Sequence, residues 1–490
     1  MGKAYIIGTG PGDEELLTIK AVKALSECTA VLYDRLVSNN ILNYLNEDCL
    51  VYYCGKEPGA HYKTQEQINE MLVKLVKDGH VVGRIKGGDP YVFGRGGEEV
   101  LSLVEEGLDF EVIPGVTSPI SVLNYAGIPI TQRGMSQSFH IVTGMSAGVL
   151  KVNFEALAKE NGTLVFMMGL ANLGEIVKNL IKNGKETLTP TAVIMRGTSS
   201  KQKKVTGTLA DIEEKVREAG LESPCIIVVG DVVSLNEKLS WYENKPLFGH
   251  NICITRSKEQ SSNLKSKLSE LGAEVTEINS IKIESTVCNL DKYLEKLKEY
   301  DHIVLTSVNA VNIFFDYLIK KKYDIRGLNA KFSVIGKATR KALENRGIQA
   351  FVMAKEFVGE GLFKSLKGHL VKGEKVLIPC SSKSREYLKE EIEGLGLNVD
   401  RVHIYDTVPG RLLNERSFEE VDIVLFTSPT TVANMIEMVG LDRVKEKKCV
   451  AIGPHTLNAL NKSKINALMC RKHSEEGFLE EIVNIINKEV

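Results

Sequence analysis

Short apolar segments, each bounded by glycine or a turn residue, alternate with longer amphipathic segments along the whole chain. Examples are AYIIG (4–8), AVLYD (30–34), VVGRIKGG (81–88), TLVFMMG (163–169) and PCIIVVGDVV (224–233). Apolar runs of this length, separated by helix-like stretches, are typical of βαβ units. We therefore predict an α/β protein built on largely parallel sheets. No apolar run approaches the ~20 residues that a membrane-spanning helix needs.

The second half of the chain contains an internal similarity. Three segments resemble three others that lie roughly 120 residues further along, a spacing too long for a solenoid. The pairs are 301–315 with 422–436, 332–347 with 449–463, and 251–275 with 375–399. This favours one duplicated α/β unit and two similar lobes, with ligands bound in a cleft between them. The alternative is that strand–turn–helix segments simply resemble one another.

A domain boundary is predicted where the alternating pattern breaks. The segment WYENKPLFG (241–249) contains the single tryptophan together with a proline and a glycine. We place a first domain over residues 1–243 and a second over residues 249–490. Each is long enough to bury a core of its own.

Charge and cysteine usage exclude several classes of protein. The chain has 62 Lys and Arg against 63 Asp and Glu, for a formal net charge of −1. Proteins that coat nucleic acid or anionic membranes need a basic excess, so we expect neither partner. The nine cysteines form no CxxC pair, and no Cys/His group has zinc-finger spacing. We expect free thiols, a cytoplasmic location and no bound metal.

Glycine-rich segments of the first half are candidate ligand loops. IIGTGPGDEELLT (6–18) follows the first strand, but its spacing is not the GxGxxG dinucleotide fingerprint. RIKGGDPYVFGRGGEE (84–99) is more specific, because Gly87 and Gly88 expose backbone that can hydrogen-bond a nucleoside ligand. Asp89 can accept hydrogen bonds from an ammonium group or from ribose hydroxyls. The chain lacks the GxxxxGK[ST] phosphate loop.

Further motifs make nearly all of residues 1–240 resemble uroporphyrinogen-III C-methyltransferase. They are AVLYDRLVS (30–38), GKEPG (55–59), VIPGVTS (112–118) and AGIPITQRG (126–134). The resemblance implies a tetrapyrrole-methylase fold of two αβ subdomains with S-adenosylmethionine in the cleft between them. It also implies transfer of two methyl groups to uroporphyrinogen III. The products would be precorrin-2, for siroheme or cobalamin, and S-adenosylhomocysteine.

The same resemblance implies residue roles, motif by motif. Asp34 in AVLYDRLVS matches the proposed proton acceptor, and Lys56 in GKEPG matches the proposed proton donor. A base is needed because the substrate must lose a proton when one of its pyrrolic carbons attacks the methyl group. The matching cofactor-binding positions are Pro11, Gly87, Gly88, Asp89, Val92, Thr117, Ser118, Met168 and Gly197. Without the resemblance, Asp34 would be interpreted as a helix cap and Lys56 as a solvated loop charge.

Arginines are the expected partners of the substrate's many carboxylates, because a guanidinium and a carboxylate can form two parallel hydrogen bonds. We predict that Arg35 binds substrate. Several of the other arginines in this half should also face the cleft, the candidates being Arg84, Arg95, Arg133 and Arg196. The resemblance further implies a homodimer formed through the methyltransferase domain.

Hydroxyl-bearing residues follow the predicted strands of the second half, at the ends where open α/β sheets bind ligands. They include Ser307, Thr339, Tyr405, Ser428 and Thr456. Hydroxyls and helix N-termini suit carboxylate ligands. Serine and threonine at such positions also cap the helices that follow, and this alternative stays open.

Three motifs make residues 249–490 resemble uroporphyrinogen-III synthase, namely FTSPTTV (426–432), IGPHT (452–456) and IYDT (404–407). The resemblance implies two α/β lobes joined by a pair of strands, with residues 286–407 as one lobe and no cofactor.

By motif, the resemblance also implies roles for the hydroxyl-bearing residues. Ser307, Thr339, Ser428 and Thr456 would bind hydroxymethylbilane. Tyr405 would assist loss of hydroxide before the chain closes with inversion of ring D.

We therefore predict a bifunctional enzyme that cyclises hydroxymethylbilane to uroporphyrinogen III and methylates this product to precorrin-2. Two alternatives stay open. The first half could methylate a later corrinoid or a non-tetrapyrrole substrate. The second half could be a non-catalytic bilobal module that binds a tetrapyrrole or a sugar.

Overall fold

A computed structural model describes residues 2–55, 63–145, 152–255, 258–356, 358–410, 412 and 414–487. The chain divides into two compact units, Met1–Ile278 with Leu412–Val490, and Asn279–Arg411. The second unit corresponds to the middle lobe expected over residues 286–407, extended at both ends. The boundary predicted at 243–249 lies inside the first unit and stays a prediction.

The elements follow in chain order. The strands are β1 (Lys3–Gly8), β2 (Ala30–Tyr33), β3 (Leu50–Tyr53), β4 (Val81–Lys86), β5 (Phe110–Ile113), β6 (Phe139–Thr143), β7 (Thr163–Met167), β8 (Pro190–Met195), β9 (Lys203–Thr208), β10 (Cys225–Val229), β11 (Asn251–Ile254), β12 (Glu274–Glu277), β13 (Ile281–Ser285), β14 (His302–Leu305), β15 (Lys331–Val334), β16 (Val352–Met353), β17 (Lys375–Ser381), β18 (Asn398–Pro409), β19 (Ile423–Phe426), β20 (Lys448–Ala451) and β21 (Ala467–Met469). The α-helices are α1 (Ile19–Glu27), α2 (Gln65–Lys77), α3 (Gly96–Glu105), α4 (Ser118–Tyr125), α5 (Phe154–Lys159), α6 (Leu173–Lys182), α7 (Ile212–Ala219), α8 (Lys258–Glu270), α9 (Val308–Lys320), α10 (Lys337–Glu344), α11 (Gly359–Leu366), α12 (Tyr387–Glu393), α13 (Pro429–Val439), α14 (Leu441–Lys445), α15 (Pro454–Lys462) and α16 (Glu475–Asn487).

The first sheet has the strand order β3-β2-β4-β1-β5, and its pairings are parallel. Successive residues of β1 point to opposite faces, so Ile6 and Ile7 enter two different apolar clusters. α1 begins after Thr18, whose hydroxyl accepts a hydrogen bond from the Ala21 N–H. The parallel α/β arrangement expected for the N-terminal region is confirmed here, and all strand ends that carry the glycine motifs lie on one edge.

The second sheet has the order β6-β7-β10-β8-β9 and is mixed. β6 and β7 pair in parallel, whereas β10 is antiparallel to both of its neighbours and β9 is antiparallel to β8. The expectation of a largely parallel sheet is wrong for this part of the chain. Residues 196–202, which join β8 to β9, are too few for a crossover to a parallel strand, so the chain returns antiparallel.

The two sheets of the second half share one strand order. In the first unit the order is β12-β11-β19-β20-β21, and in the second unit it is β18-β17-β14-β15-β16 with β13 added beyond β18. The similar sequence segments supply the strands at matching places, since β11 corresponds to β17, β19 to β14 and β20 to β15. This correspondence supports a duplicated unit over a chance likeness of strand–turn–helix segments.

β18 is longer than the sequence suggested. Its second part pairs antiparallel with β13, so that Tyr405 faces Ser285 and Thr407 faces Ile283 across the ladder. Asp406 and Thr407 therefore lie within the strand, because β13 supplies hydrogen-bonding partners that extend it to Pro409. The register between β17 and β18 shifts between Cys380 and Ser381, so Ile404 is an extra residue of β18 next to Tyr405.

The cysteines are free thiols, and all except Cys288 are buried. Burial raises the pKa of the Cys28 thiol to about 12, which keeps it protonated and unreactive at neutral pH. Among the described residues, no cluster of three or more His, Cys, Asp and Glu side chains could hold a metal ion. Every helix in the described ranges is too short or too polar to cross a membrane.

Candidate functional site

The loops after β1, β4 and β5 pack backbone against backbone. Gly10 and Gly88 exchange two hydrogen bonds, with N···O distances of 3.2 and 2.6 Å. A Cβ on Gly115 would lie 2.2 Å from the Gly88 carbonyl oxygen, and a Cβ on Gly8 would lie 2.5 Å from the Gly115 nitrogen. Side chains are therefore excluded at these positions. The close packing brings the predicted cofactor-binding loops together at one edge of the first sheet.

Asp89 links two of these loops. One carboxylate oxygen accepts the Tyr91 N–H at 2.8 Å, and the other accepts the Gly115 N–H at 3.2 Å. The Val92 N–H in turn donates to the Asp89 carbonyl at 3.3 Å. The Asp89 side chain thus shapes the glycine loop, while each oxygen keeps a lone pair that can accept from a ligand.

The segment after β8 packs beside the same loops. A Cβ on the buried Gly197 would lie 2.3 Å from the Val122 side chain in α4. Thr198, with a left-handed φ of 70°, accepts a hydrogen bond on its hydroxyl oxygen from the Asp13 N–H at 3.3 Å. The Tyr125 hydroxyl donates to the Asp13 carboxylate at 2.7 Å. These contacts join Gly197 to the first glycine loop.

The other cofactor-binding candidates occupy helix starts and a strand end. Thr117 and Ser118 form the start of α4, where Thr117 is the N-cap. Pro11 is half-buried in the first glycine loop. Met168 follows β7 in the second sheet, with φ of 54° and an exposed side chain.

Asp34 follows β2 and is held at both carboxylate oxygens. One accepts the Leu36 N–H at 3.0 Å, and the other lies 3.5 Å from a terminal nitrogen of Arg84. The alternative interpretation as a helix cap does not fit, because the backbone partner is in a turn that precedes the 3₁₀ helix Asn39–Tyr44. About a third of the Asp34 side chain is exposed, so it can meet a ligand.

Behind Asp34 lies a buried charged cluster of Arg84, Lys86 and Glu99. The Arg84 Nε donates to Glu99 Oε1 at 2.8 Å, and the Lys86 Nζ donates to the same oxygen at 3.0 Å. The Glu99 side chain is fully buried, and its second oxygen has no hydrogen bond among the described residues. Burial lowers the pKa of Lys86, and the nearby Arg84 charge adds to that effect.

Arginines of this half differ in their availability to a substrate. Arg84 was expected to be a candidate for the cleft, but its guanidinium is buried and used by Glu99 and two backbone carbonyls. Arg95 pairs with Glu98 and Arg196 pairs with Glu420, both at the surface. Arg35 and Arg133 are exposed. Lys56 lies outside the described residues.

In the second unit, the predicted catalytic residue Tyr405 lies beside the predicted substrate-binding residue Ser307. Tyr405 is buried in β18, and its hydroxyl oxygen lies 2.9 Å from the Ser307 hydroxyl oxygen. Burial raises the pKa of Tyr405, although the Ser307 hydrogen bond partly opposes this. The phenol therefore remains protonated and able to donate. Thr339 is buried in the first turn of α10, after the neighbouring strand β15.

Two further hydroxyl residues belong to the first unit. Ser428 is the N-cap of α13 and forms a capping box with Thr431. Thr456 is buried in the first turn of α15. Ser307 likewise caps α9, through the Ala310 N–H. The helix-capping alternative is thus correct for Ser307 and Ser428, and it does not exclude a second role.

Sequence reasoning missed the charged cluster around Glu99. A signal was present, because Arg84 and Lys86 stand two residues apart in an otherwise apolar strand and therefore share one face of the sheet. Two basic residues on a buried face require an acidic partner. Glu99 lies in α3, which follows that strand along the chain.

Comparison with known proteins identifies related sequences for both halves. Residues 3–213 match the family of tetrapyrrole (corrin/porphyrin) methylases, and residues 262–480 match the family uroporphyrinogen-III synthase HemD. A porphyrin biosynthesis protein HemD from Ruminiclostridium josui is 37% identical over 497 residues, which cover 99% of this chain and 98% of that protein. A uroporphyrinogen-III C-methyltransferase from Bacillus subtilis (strain 168) is 41% identical over 349 residues, covering 71% and 72%.

A solved structure also aligns with the first half. It is the uroporphyrin-III C-methyl transferase from Thermus thermophilus complexed with S-adenyl homocysteine, which is 37% identical. The alignment covers 47% of this chain and 99% of that chain, with a TM-score of 0.41.

Proposed function

We propose that this chain, which belongs to the tetrapyrrole methylases through its first half and to the uroporphyrinogen-III synthases through its second, converts hydroxymethylbilane into uroporphyrinogen III and then into precorrin-2. The presence of both families in one chain carries the proposal, since the product of the second half is the substrate of the first. A relative of almost equal length, named for porphyrin biosynthesis, supports the same combination.

The proposed methyl donor is S-adenosylmethionine, which supplies an activated methyl group when bound. The glycine loops fit such a ligand. Gly88 has φ of 67°, and the nearest atom to a Cβ built on it is the Ser118 nitrogen at 3.9 Å, so a side chain would fill the space beside that N–H. Backbone groups of Gly87 and Gly88, together with the Asp89 oxygens, would hold polar parts of the donor. The start of α4 adds the Ser118 N–H, whereas Pro119 has no N–H and the Ile120 N–H donates to the Thr117 carbonyl at 3.1 Å.

Asp34 is the proposed base of methyl transfer. Its carboxylate is partly exposed and is held from behind by Arg84, which is itself fixed by Glu99. A carboxylate fixed in this way can accept the proton that the substrate loses when one of its pyrrolic carbons attacks the methyl group. Arg35, exposed next to Asp34, is the proposed partner of a substrate carboxylate.

Tyr405 is proposed to assist the loss of hydroxide in the synthase reaction. A protonated phenol can donate a hydrogen bond to the departing hydroxide without adding negative charge near the substrate carboxylates. Ser307 accepts from or donates to the same hydroxyl and orients it. Ser307 and Thr339 would also contact the substrate. The chain's contribution is chiefly to hold a reactive linear molecule in the shape that closes.

One experiment tests both activities together. Hydroxymethylbilane is incubated with the full chain, with and without S-adenosylmethionine, and the products are separated by isomer. We expect type III uroporphyrinogen without the donor and precorrin-2 with it. Spontaneous closure gives the type I isomer, so type I alone would refute the synthase activity. Type III product that is never methylated would refute the methyltransferase activity and favour another methyl acceptor.

The assembly proposed is a homodimer formed through residues 1–243. Sedimentation of the full chain measures its mass directly. A monomer at micromolar concentration would contradict this part of the proposal without affecting the two reactions.

A further inference from the structure

Three segments of residues 1–248 that lie next to the proposed methyltransferase site contact the C-terminal lobe. We define this lobe as the described residues of 249–278 and 414–487, which belong with residues 2–248 in the first compact unit. The segments begin at Glu14, just after the first glycine loop, at Asn40, just after Asp34, and at Arg196, just before Gly197. Their contacts with the lobe are polar and specific.

Asn40 completes an open sheet edge. β12 is the terminal strand of its sheet and pairs with β11 alone among the described strands. The buried Asn40 side chain donates to the Val275 carbonyl at 2.5 Å and accepts from the Glu277 N–H at 3.3 Å. One carboxamide thus makes the pair of hydrogen bonds that a neighbouring strand would make. This pairing fixes the segment that leads from Asp34.

Lys265 of α8 makes the second contact. Its ammonium group is bound by the carboxylates of Glu14 and Glu277, with 2.5 Å to Glu277. The exposed fractions of the three side chains are 18%, 10% and 8%. Burial raises the pKa of Glu14, and the Lys265 charge opposes that rise. Loss of the ammonium would leave two buried carboxylates facing each other.

Glu274 makes the third contact. Its carboxylate accepts the Ser200 N–H at 2.9 Å and the Ser200 hydroxyl at 2.6 Å. Two surface ion pairs, Arg196 with Glu420 and Lys201 with Asp422, flank this contact. Because Gly197 and Thr198 lie inside the same short segment, Glu274 restrains the segment that packs on the first glycine loop.

We propose that the C-terminal lobe is a working part of the methyltransferase site, and that Lys265, Glu274 and Asn40 are positioning residues for its cofactor-binding and proton-accepting segments. The inference rests on the proposed function of the first half. Each contact restrains a segment within six residues of a proposed site residue. Binding of the methyl donor and docking of the lobe therefore stabilise each other, as linkage requires.

The test uses the full chain and replaces a lobe residue that is remote from the chemistry. Lys265→Met removes the ammonium and keeps most of the side-chain volume. We expect the Kd for S-adenosylhomocysteine, measured by calorimetry, to rise about tenfold, within the usual range of coupling between sites. The KM for the methyl donor should rise with it, whereas type III synthesis should stay at the parental rate.

Lys267→Met is the matched control. Lys267 stands two residues further along α8 and pairs only weakly, at 3.5 Å, with Glu476 of the same lobe. This variant loses the same charge without touching residues 2–248 and should bind the ligand as the parent does. Lys265→Arg keeps the charge and should restore most of the affinity. Glu274→Ala gives a second, milder disturbance in case Lys265→Met fails to fold.

The outcomes separate this inference from the proposed function. If the parental chain binds S-adenosylhomocysteine and both Lys265→Met and Glu274→Ala bind it equally well, the lobe is not part of the site. If the parental chain does not bind it, the proposed methyl donor is wrong and the inference falls with it. If Lys267→Met weakened S-adenosylhomocysteine binding as much as Lys265→Met does, the cause would be the lost positive charge on α8 and not the contact between Lys265 and Glu14. That result would also overturn the inference.

Discussion

The hydroxyl groups of Tyr405 and Ser307 form a hydrogen bond 2.9 Å long, although the two residues are 98 positions apart in the sequence. Ser307 follows β14 and Tyr405 lies in β18, with β17 between these strands in the sheet. The bond fixes the phenol at the carboxyl edge of the parallel strands. This is the edge at which open α/β sheets bind their ligands.

Tyr405→Phe removes that phenol and keeps the ring. We expect type III synthesis to slow by about three- to tenfold, the effect of losing one neutral hydrogen bond, with the methyl transfer rate unchanged. Isomer-resolved product formation from hydroxymethylbilane measures it. Tyr317→Phe is the control, because the Tyr317 hydroxyl bonds Asp291 at 2.7 Å, elsewhere in the same unit. If Tyr405→Phe formed the type III isomer at the parental rate, the tyrosine would have only a packing role.

Asp34→Asn keeps the size of the side chain and removes its basicity. We expect methyl transfer to fall by about a hundredfold or more, as for loss of a general base. S-adenosylhomocysteine binding, followed by calorimetry, should be retained because Asp34 is not among the proposed donor-binding residues. Asp48→Asn, on an exposed turn in the same part of the chain, should behave as the parent does. Normal turnover of Asp34→Asn would remove this residue from the mechanism.

Glu99→Gln removes the negative charge of the side chain that pairs with both Arg84 and Lys86. Two buried cations would then lose their shared carboxylate, and Asp34, 3.5 Å from Arg84, would remain as the described ion-pair partner of Arg84. We therefore expect the free energy of unfolding to fall by about 3 kcal/mol. Denaturant unfolding measures this loss. Glu98→Gln is the neighbouring control, since Glu98 forms an exposed pair with Arg95 that contributes less than about 1 kcal/mol. Equal stability of the two variants would contradict a structural role for the buried cluster.

Gly115→Ala tests the backbone packing of the proposed donor-binding loops. A Cβ at this position would overlap the Gly88 carbonyl oxygen, so the loops must separate. We expect weaker S-adenosylhomocysteine binding and a stability loss of about 1–3 kcal/mol, as for overpacking elsewhere. Gly97→Ala is the control, because a Cβ there meets no atom within 4 Å and the residue lies in α3. That variant should be slightly more stable than the parent. Unaltered ligand binding by Gly115→Ala would place the donor elsewhere.

The sequence predicted those features that depend on local pattern. Glycines that directly follow predicted strands indicated where the loop of Gly88 and the loops packed against it would lie. Only glycine tolerates such a close approach of two backbones. The duplicated segments indicated two sheets of one strand order, and the apolar strands indicated their cores. The serine at each strand end also predicted helix caps, as at Ser307 and Ser428.

Features that depend on pairing across the chain were not predictable in this way. The partner of Arg84 is set by how α3 packs on β4, so the residue looked like a substrate ligand in the sequence. β18 extends past Tyr405 only because β13 lies beside it. The direction of β10 follows from which neighbours it meets, and an apolar run reads the same in either direction.

The hydrogen bonds of Asn40 have a consequence for solubility. An unpaired strand edge is a template on which another chain can add a strand, and proteins blunt such edges to avoid aggregation. Here a single carboxamide occupies the Val275 carbonyl and the Glu277 N–H. A chain cut between residues 243 and 249 would uncover these groups on β12. In the fused chain, Asn40 therefore also protects the β12 edge of the second half from pairing with a strand of another molecule.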